Sequence, residues 1–249
     1  MAKIIWDNDS SRRAELGISH VVFWPIKDGN YTTPIPWSGV ISASLENTNV
    51  EPTILYADGE DYGRYSELIG ANLTVNCYTF PVELEPCLGF DVRGAASYFT
   101  GKKTKFGISF QDTIIDANGK KVSKTYFLFD CVVIGFDNLD YTTIGSSLTP
   151  TEFSIKIKAG RVRVNGRYRF TYIAMNENLL TESERERAQY WLDCIVYDDS
   201  AVMPSAEDIV AAVESKDFRP TTGIWLRTLE EGTWSVAYSK TWNQLQTDN

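Results

Sequence analysis

Apolar and polar residues alternate with a period of two through much of this chain, the mark of strands with one buried and one wet face. In Val40–Leu45, Ile41, Ala43 and Leu45 point one way and Ser42 and Ser44 the other. Further on, Leu73, Val75 and Cys77 alternate with Thr74 and Asn76. Between these two strands lies a long polar reach centred on ILYADGEDYG, in which Tyr56, Tyr62 and Tyr65 flank the acidic Asp58, Glu60 and Asp61. A connection this long inside a compact β domain is usually functional, because ordering it costs entropy that something must offset. A contact with another subunit would supply the offset. The arm is therefore expected to be mobile in an isolated subunit and ordered by a neighbour.

The same reading predicts the other elements. SHVVFWPI (Ser19–Ile26) is a strand, with Pro25 marking an edge or bulge near its end. Leu84, Cys87 and Leu88 have helical spacing that Gly89 stops, and Pro86 limits the helix to one or two turns. Lys102, Lys103 and Lys105 form a short basic loop. Phe106–Ile114 is a strand returned by an Asn-Gly turn into KTYFLFDCVVIGF, the most hydrophobic strand. Strict alternation places Phe127, Phe129, Cys131 and Val133 on one of its faces and Tyr126, Leu128 and Val132 on the other. Both faces should be covered, and Asp130 needs a partner or water. Glu152–Lys158 alternates again, and a change of parity at Ala159-Gly160 predicts a bulge or turn. In GRVRVNGRYRF, a three-residue loop pairs Val164 with Tyr168 and Val162 with Phe170. That register sets Arg163 beside Arg169 as a small basic face.

Leu180-Thr-Glu-Ser-Glu184 is a capping box, and Ala188, Trp191, Leu192, Ile195 and Val196 follow with the spacing of an amphipathic helix. A shorter helix begins near Ser205, with Ala206, Ile209, Val210 and Val213 on one side. Beyond Pro220 the pattern reads strand, Glu231-Gly232 turn, strand, carrying Trp225 and Trp234. The class is mainly β (α+β): a β-sandwich or barrel with one flanking amphipathic helix and a small carboxy-terminal α+β extension. A boundary near residue 199 divides a β domain over 1–199 from an extension over 200–249.

Composition narrows the function. The 249 residues carry a net charge of -9, the wrong balance for a protein that holds phosphate with Lys and Arg. No apolar run is long enough for a signal peptide, and none approaches the roughly 18 residues of a membrane helix. The four cysteines lie far apart with no CxxC pair, and free buried thiols are expected in a reducing cytoplasm. His20 is the one histidine, so a histidine-based triad has a single possible centre. The run Asp58–Asp61 lacks the ligand spacing of an EF-hand, and no nucleotide, zinc-protease or nucleophile-elbow motif occurs. No catalytic residue, metal site or cofactor is expected.

The order of elements resembles the major tail proteins that build the tail tube of long-tailed, non-contractile bacteriophages. GISHVVFWPI is similar to their first strand, and GVISASLE…ILYADGEDYG…ANLTVNCYTF to their strand-arm-strand unit. PVELEPCLGF stands where the family has a short helix ending in Leu-Gly. KFGISFQDT…GKK…TYFLFDCVVIG and PTEFSIKIKA resemble the paired strands that follow, and AQYWLDCIVYD the aromatic-rich terminal helix. The likeness runs from Leu16 to about Asp198. Pro86 shortens the first helix relative to the family, and everything after Ser200 is additional to it.

The resemblance implies a tail-tube-like fold that forms hexameric rings stacked into a hollow tube. The partners implied are further copies of itself, the tape-measure protein in the lumen, and tail terminator and distal tail proteins at the ends. DNA would pass through without specific binding, and an acidic wall suits that role because it would not hold phosphate. The implied location is the virion tail, assembled in the host cytoplasm with no membrane partner. Tyr56, Asp58, Glu60, Asp61, Tyr62 and Tyr65 would form the inter-subunit arm, with the Arg163/Arg169 face or Lys102–Lys105 as its basic complement. The alternative is a monomeric β-rich carbohydrate- or peptide-binding module, which would also expose Tyr and Trp.

Overall fold

A computed structural model describes residues 13–48, 53–57, 60–65, 70–116, 119–136, 150–199 and 201–218. Its largest sheet turns on β11 (Lys121–Phe136), the most hydrophobic strand of the chain. The amino-terminal part of β11 lies between β10 (Phe106–Asp116) and β15 (Tyr172–Asn176). Its carboxy-terminal part pairs instead with β12 (Phe153–Lys158). Beyond β10 the sheet continues to β1 (Arg13–Lys27), edged by β2 (Asn30–Tyr31) and β3 (Ile35–Pro36). Beyond β12 it continues to β7 (Gly70–Cys77) and β4 (Val40–Thr48). All of these pairs are antiparallel, and the sheet has nine strands.

Two hydrophobic clusters form on opposite sides of the β1/β10/β11 region. In the first, Phe23, Phe106 and Ile108 pack with Leu73, Val75, Ile155 and Ile157, so the two halves of the sheet enclose it. Leu84, Cys87 and Leu88 join it from a 3-10 turn and α1 (Glu85–Leu88), which ends at Gly89 in the left-handed conformation. Pro86 sits in the first turn, where its missing N–H costs nothing, and the helix stops after one turn. In the second cluster, Val22, Trp24, Phe127, Ile173 and Met175 are covered by α2 (Glu182–Ile195) and α3 (Ala206–Ser215). Thr181 Oγ1 accepts from the Glu184 amide and the Glu184 carboxylate accepts from the Thr181 amide, so the capping box is complete. Residues 201–218 belong to this second cluster: Ala201, Met203, Ala206, Ile209, Ala212 and Phe218 are all buried in it.

Bulges overturn three expectations of strict alternation. Across β10/β11, Phe106 faces Cys131 while Ile108 faces Leu128, so β11 carries an extra residue. Asp130, at φ 48, takes the left-handed conformation there. Phe127 and Phe129 therefore enter the second cluster, while Cys131 and Val133 join Leu128 in the first. The Asp130 carboxylate lies 3.7 Å from Lys105 Nζ, and its amide donates to the Tyr31 hydroxyl at 3.0 Å. On β4 the extra residue is Ile41, which is exposed rather than sharing a face with Ala43 and Leu45. The third case is the hairpin of β13 (Val162–Val164) and β14 (Arg167–Phe170). Val162 faces Phe170 as expected, but Val164 faces Arg167 and Arg163 faces Tyr168, around a two-residue Asn165-Gly166 turn. Both turn residues have positive φ, which suits a two-residue hairpin loop, and the extra residue sits in β14.

Gly160 marks the change of parity after β12. Its amide donates to the Phe129 carbonyl at 2.9 Å, and a Cβ there would meet Asp130 Cβ at 2.5 Å and two carbonyl oxygens at 2.9 Å. Backbone cannot yield as a flexible side chain can. Gly160→Ala is expected to destabilise the fold by about 1–3 kcal/mol, read as a lower urea midpoint with an unchanged slope.

Candidate functional site

The polar reach between β4 and β7 folds as a hairpin of its own, β5 (Thr53–Ala57) against β6 (Glu60–Tyr65). Among the described strands, these two pair only with each other. Leu55 faces Gly63 and Tyr56 faces Asp61, so Tyr62 is the extra residue of a bulge. The bulge leaves both rings outside: Tyr56 is 70% exposed, Tyr62 73% and Leu55 45%. Glu60 and Asp61 are exposed beside them. Among the described residues no core lies behind this ribbon, and rings left so exposed gain little from it. Asp58 lies outside the described residues; Tyr65 closes β6 opposite Thr53.

The proposed basic complement is only partly assembled. Arg163 is exposed on β13, but it stands opposite Tyr168, and Arg169 is the bulge residue of β14. An acid from α3 reaches the turn of this hairpin, where Glu207 Oε1 accepts from the Asn165 amide at 2.9 Å. In the other basic segment, Lys103 Nζ donates to the Val133 carbonyl at 2.8 Å and Lys105 faces Asp130.

A second two-stranded hairpin lies outside the elements the sequence pattern predicts. β8 (Phe90–Arg93) and β9 (Ala96–Phe99) pair through four residues on each side of a Gly94 turn. Val92, Tyr98 and Phe99 are exposed on it, Phe99 at 71%. The sequence did contain a signal, the run FDVRGAASYF, whose β-forming flanks surround a glycine.

His20 occupies a β1 bulge at φ 50, with Nδ1 3.1 Å from Ser19 Oγ and its ring 5.3 Å from that of Tyr197. Burial pushes the Cys77 and Cys87 thiols up to about 11 and raises Cys131 further, so none is a thiolate at neutral pH. All four cysteines are free. Among the described residues no group of three His, Cys, Asp or Glu is placed to hold a metal ion. No helix among them is long and apolar enough to cross a membrane.

One buried acid has a measurable consequence. Glu177 is fully buried; its Oε2 accepts from the Ser123 amide at 2.8 Å, while Oε1 and the Tyr197 hydroxyl have no hydrogen-bond partner among the described residues. Burial raises its pKa, against the opposing pull of the Ser123 amide and Arg185. A folded pKa above the unfolded one means that the folded state binds the proton more tightly. Stability is then lost as pH rises from the ordinary carboxylate range through the folded value. Glu177→Gln removes that loss. Its stability relative to the parent is expected to be higher at pH 8 than at pH 4 in urea titrations; an equal difference at both would contradict this.

No protein-family model and no curated protein sequence matches the chain. Among solved structures, it is similar to a chain in the cryo-EM structure of the PVC sheath-tube complex, an extracellular contractile injection system in its extended state. That match has 12% identity and a TM-score of 0.33, over 63% of this chain and 88% of the other. It is also similar to a chain in the baseplate of the anti-feeding prophage, with 12% identity and a TM-score of 0.29, over 71% of this chain and 98% of the other. Both scores lie below that of a shared fold.

Proposed function

We propose that this protein is a structural subunit that assembles with copies of itself into a hollow tube of the phage-tail kind. The observation that carries the reading is the β5–β6 hairpin: two tyrosines more than two-thirds exposed on a ribbon that pairs with no other described strand. Tyrosine supplies rigid, amphipathic contact area and is enriched at interfaces. The motif resemblance to major tail proteins gives the reading its form. Six subunits make a ring, rings stack, and the arm of each subunit orders against a neighbour. The lumen encloses a tape-measure protein and conducts DNA on ejection, with terminator and distal tail proteins closing the ends. The net charge of -9 is compatible with a channel that does not retain phosphate. The subunit needs no catalysis, metal or cofactor. It would be made in the host cytoplasm and carried in the virion, with residues from 200 onward towards the outside of the tube.

Sedimentation velocity over a range of concentrations tests this. Growth of large species with concentration, without added metal or nucleic acid, is the expected result. A single monomeric boundary at high concentration, together with retention on a glycan or peptide array, would favour a binding module instead.

A further inference from the structure

Phe90 of the β8–β9 hairpin packs on the first cluster, but no described residue buries its Val92, Tyr98 and Phe99, which stand near Arg93 and Lys102. Phe90 and Phe99 face each other across the ribbon, with rings 5.3 Å apart. The Thr100 and Gly101 amides both donate to the Gly89 carbonyl, at 2.9 and 3.0 Å, and the Thr104 amide to the Pro86 carbonyl at 3.2 Å. Ser97 also bonds the Glu85 carboxylate. These bonds tie the hairpin and the segment after it to α1, whose Cys87 and Leu88 are buried in the first cluster. A ring left 71% exposed on a support this well fixed is not explained by the fold.

Charge identifies the occupant. Over residues 90–105 a single acid, Asp91, stands against Arg93, Lys102, Lys103 and Lys105, and Glu85 of α1 adds one carboxylate at Ser97, in a chain of net charge -9. Asp91 is bound by Arg93 at 2.7 Å, Lys103 by a carbonyl, and Lys105 lies beside Asp130. Lys102 is exposed and its ammonium has no partner among the described residues. The projecting β5–β6 arm carries the opposite balance, Asp58, Glu60 and Asp61 against Arg64, together with its own exposed Leu55, Tyr56 and Tyr62. We infer that the β8–β9 hairpin and Lys102 form the dock for the β5–β6 arm of a second copy of this chain. The inference rests on the self-assembly reading and adds the acceptor to it. Aromatic area on both sides supplies the affinity, and the charges set orientation and exclude wrong pairings. Because arm and dock are different surfaces, the contact is heterologous: each copy offers its arm to one neighbour and its dock to another, so it can propagate. The Arg163 face is the poorer acceptor, because an α3 acid already stands at its turn.

The test uses the full chain with Tyr62→p-benzoylphenylalanine, irradiated under assembling conditions and digested with trypsin. Cross-links are expected on the peptide spanning 94–102, which carries Tyr98 and Phe99. Lys102→Glu, which removes no side-chain contact among the described residues, is expected to weaken self-association severalfold at low salt and less at high salt, with an unchanged melting temperature. Cross-links confined to 161–170, or full assembly by both Lys102→Glu and Phe99→Ala, would overturn the dock while leaving self-assembly intact. A wild-type protein that never associates would instead remove the reading on which the dock rests.

Discussion

Replacing Tyr56 and Tyr62 together with alanine should abolish assembly and leave the subunit folded. Both rings lie outside the fold, so their removal creates no cavity; the pair is expected to change the thermal midpoint by only a few degrees. At an interface the same residues behave differently. A central tyrosine can account for about 2 kcal/mol or more, so losing two would weaken association roughly a thousandfold. Neutralising Glu60 and Asp61 should do much less, since an exposed ion pair is worth about 0–1 kcal/mol. Its signature would be a loss of salt sensitivity rather than a loss of assembly. A double tyrosine variant that assembles at the wild-type concentration would show that the arm is not the contact. Hydrogen exchange adds a separate check: arm amides should gain protection on assembly beyond what the β5–β6 pairing gives the monomer.

Truncation after Asp199 is expected to unfold or severely destabilise the subunit, whereas truncation after Phe218 should leave the β domain intact. The sequence pattern points to a boundary near 199, but the second cluster continues across it. Met203, Ile209 and Phe218 pack among Trp24, Trp191 and Ile173, and Asn165 and Glu207 are hydrogen-bonded across the same seam. Gly107 in β10 has no side chain where Met203 and Tyr31 lie, so even the strand leaves room for this segment. Deleting α3 would expose several large apolar side chains at once, a loss of about 5 kcal/mol or more. Thermal denaturation of the two truncations separates the cases. If the chain cut after Asp199 melts cooperatively near the wild-type temperature, 201–218 is a dispensable appendage.

Local signals explain what was legible in the sequence and what was not. The burial of Ala71, Leu73, Val75 and Cys77 follows the period of two because β7 has no bulge, and the α2 cap was readable because two side chains three residues apart, Thr181 and Glu184, specify it. The errors share one physical origin. Bulges at Ile41, Asp130 and Arg169 each shift parity by one, and apolar content alone does not say which residue steps out of the ladder. Asp130 tolerates the left-handed conformation better than a branched side chain would, and an acid in so apolar a strand was the available clue. The arm's chemistry was visible as tyrosines among acids, although its hairpin pairing was not. The β8–β9 hairpin escaped notice because its strands are four residues long, too short for periodicity to register.

Negative-stain electron microscopy of the concentrated wild-type protein tests the central claim most directly. Six-fold rings, and tubes formed by their stacking, are the expected result, with the Tyr56/Tyr62 double alanine variant giving neither. Fields of single particles of subunit size at every concentration would contradict the account.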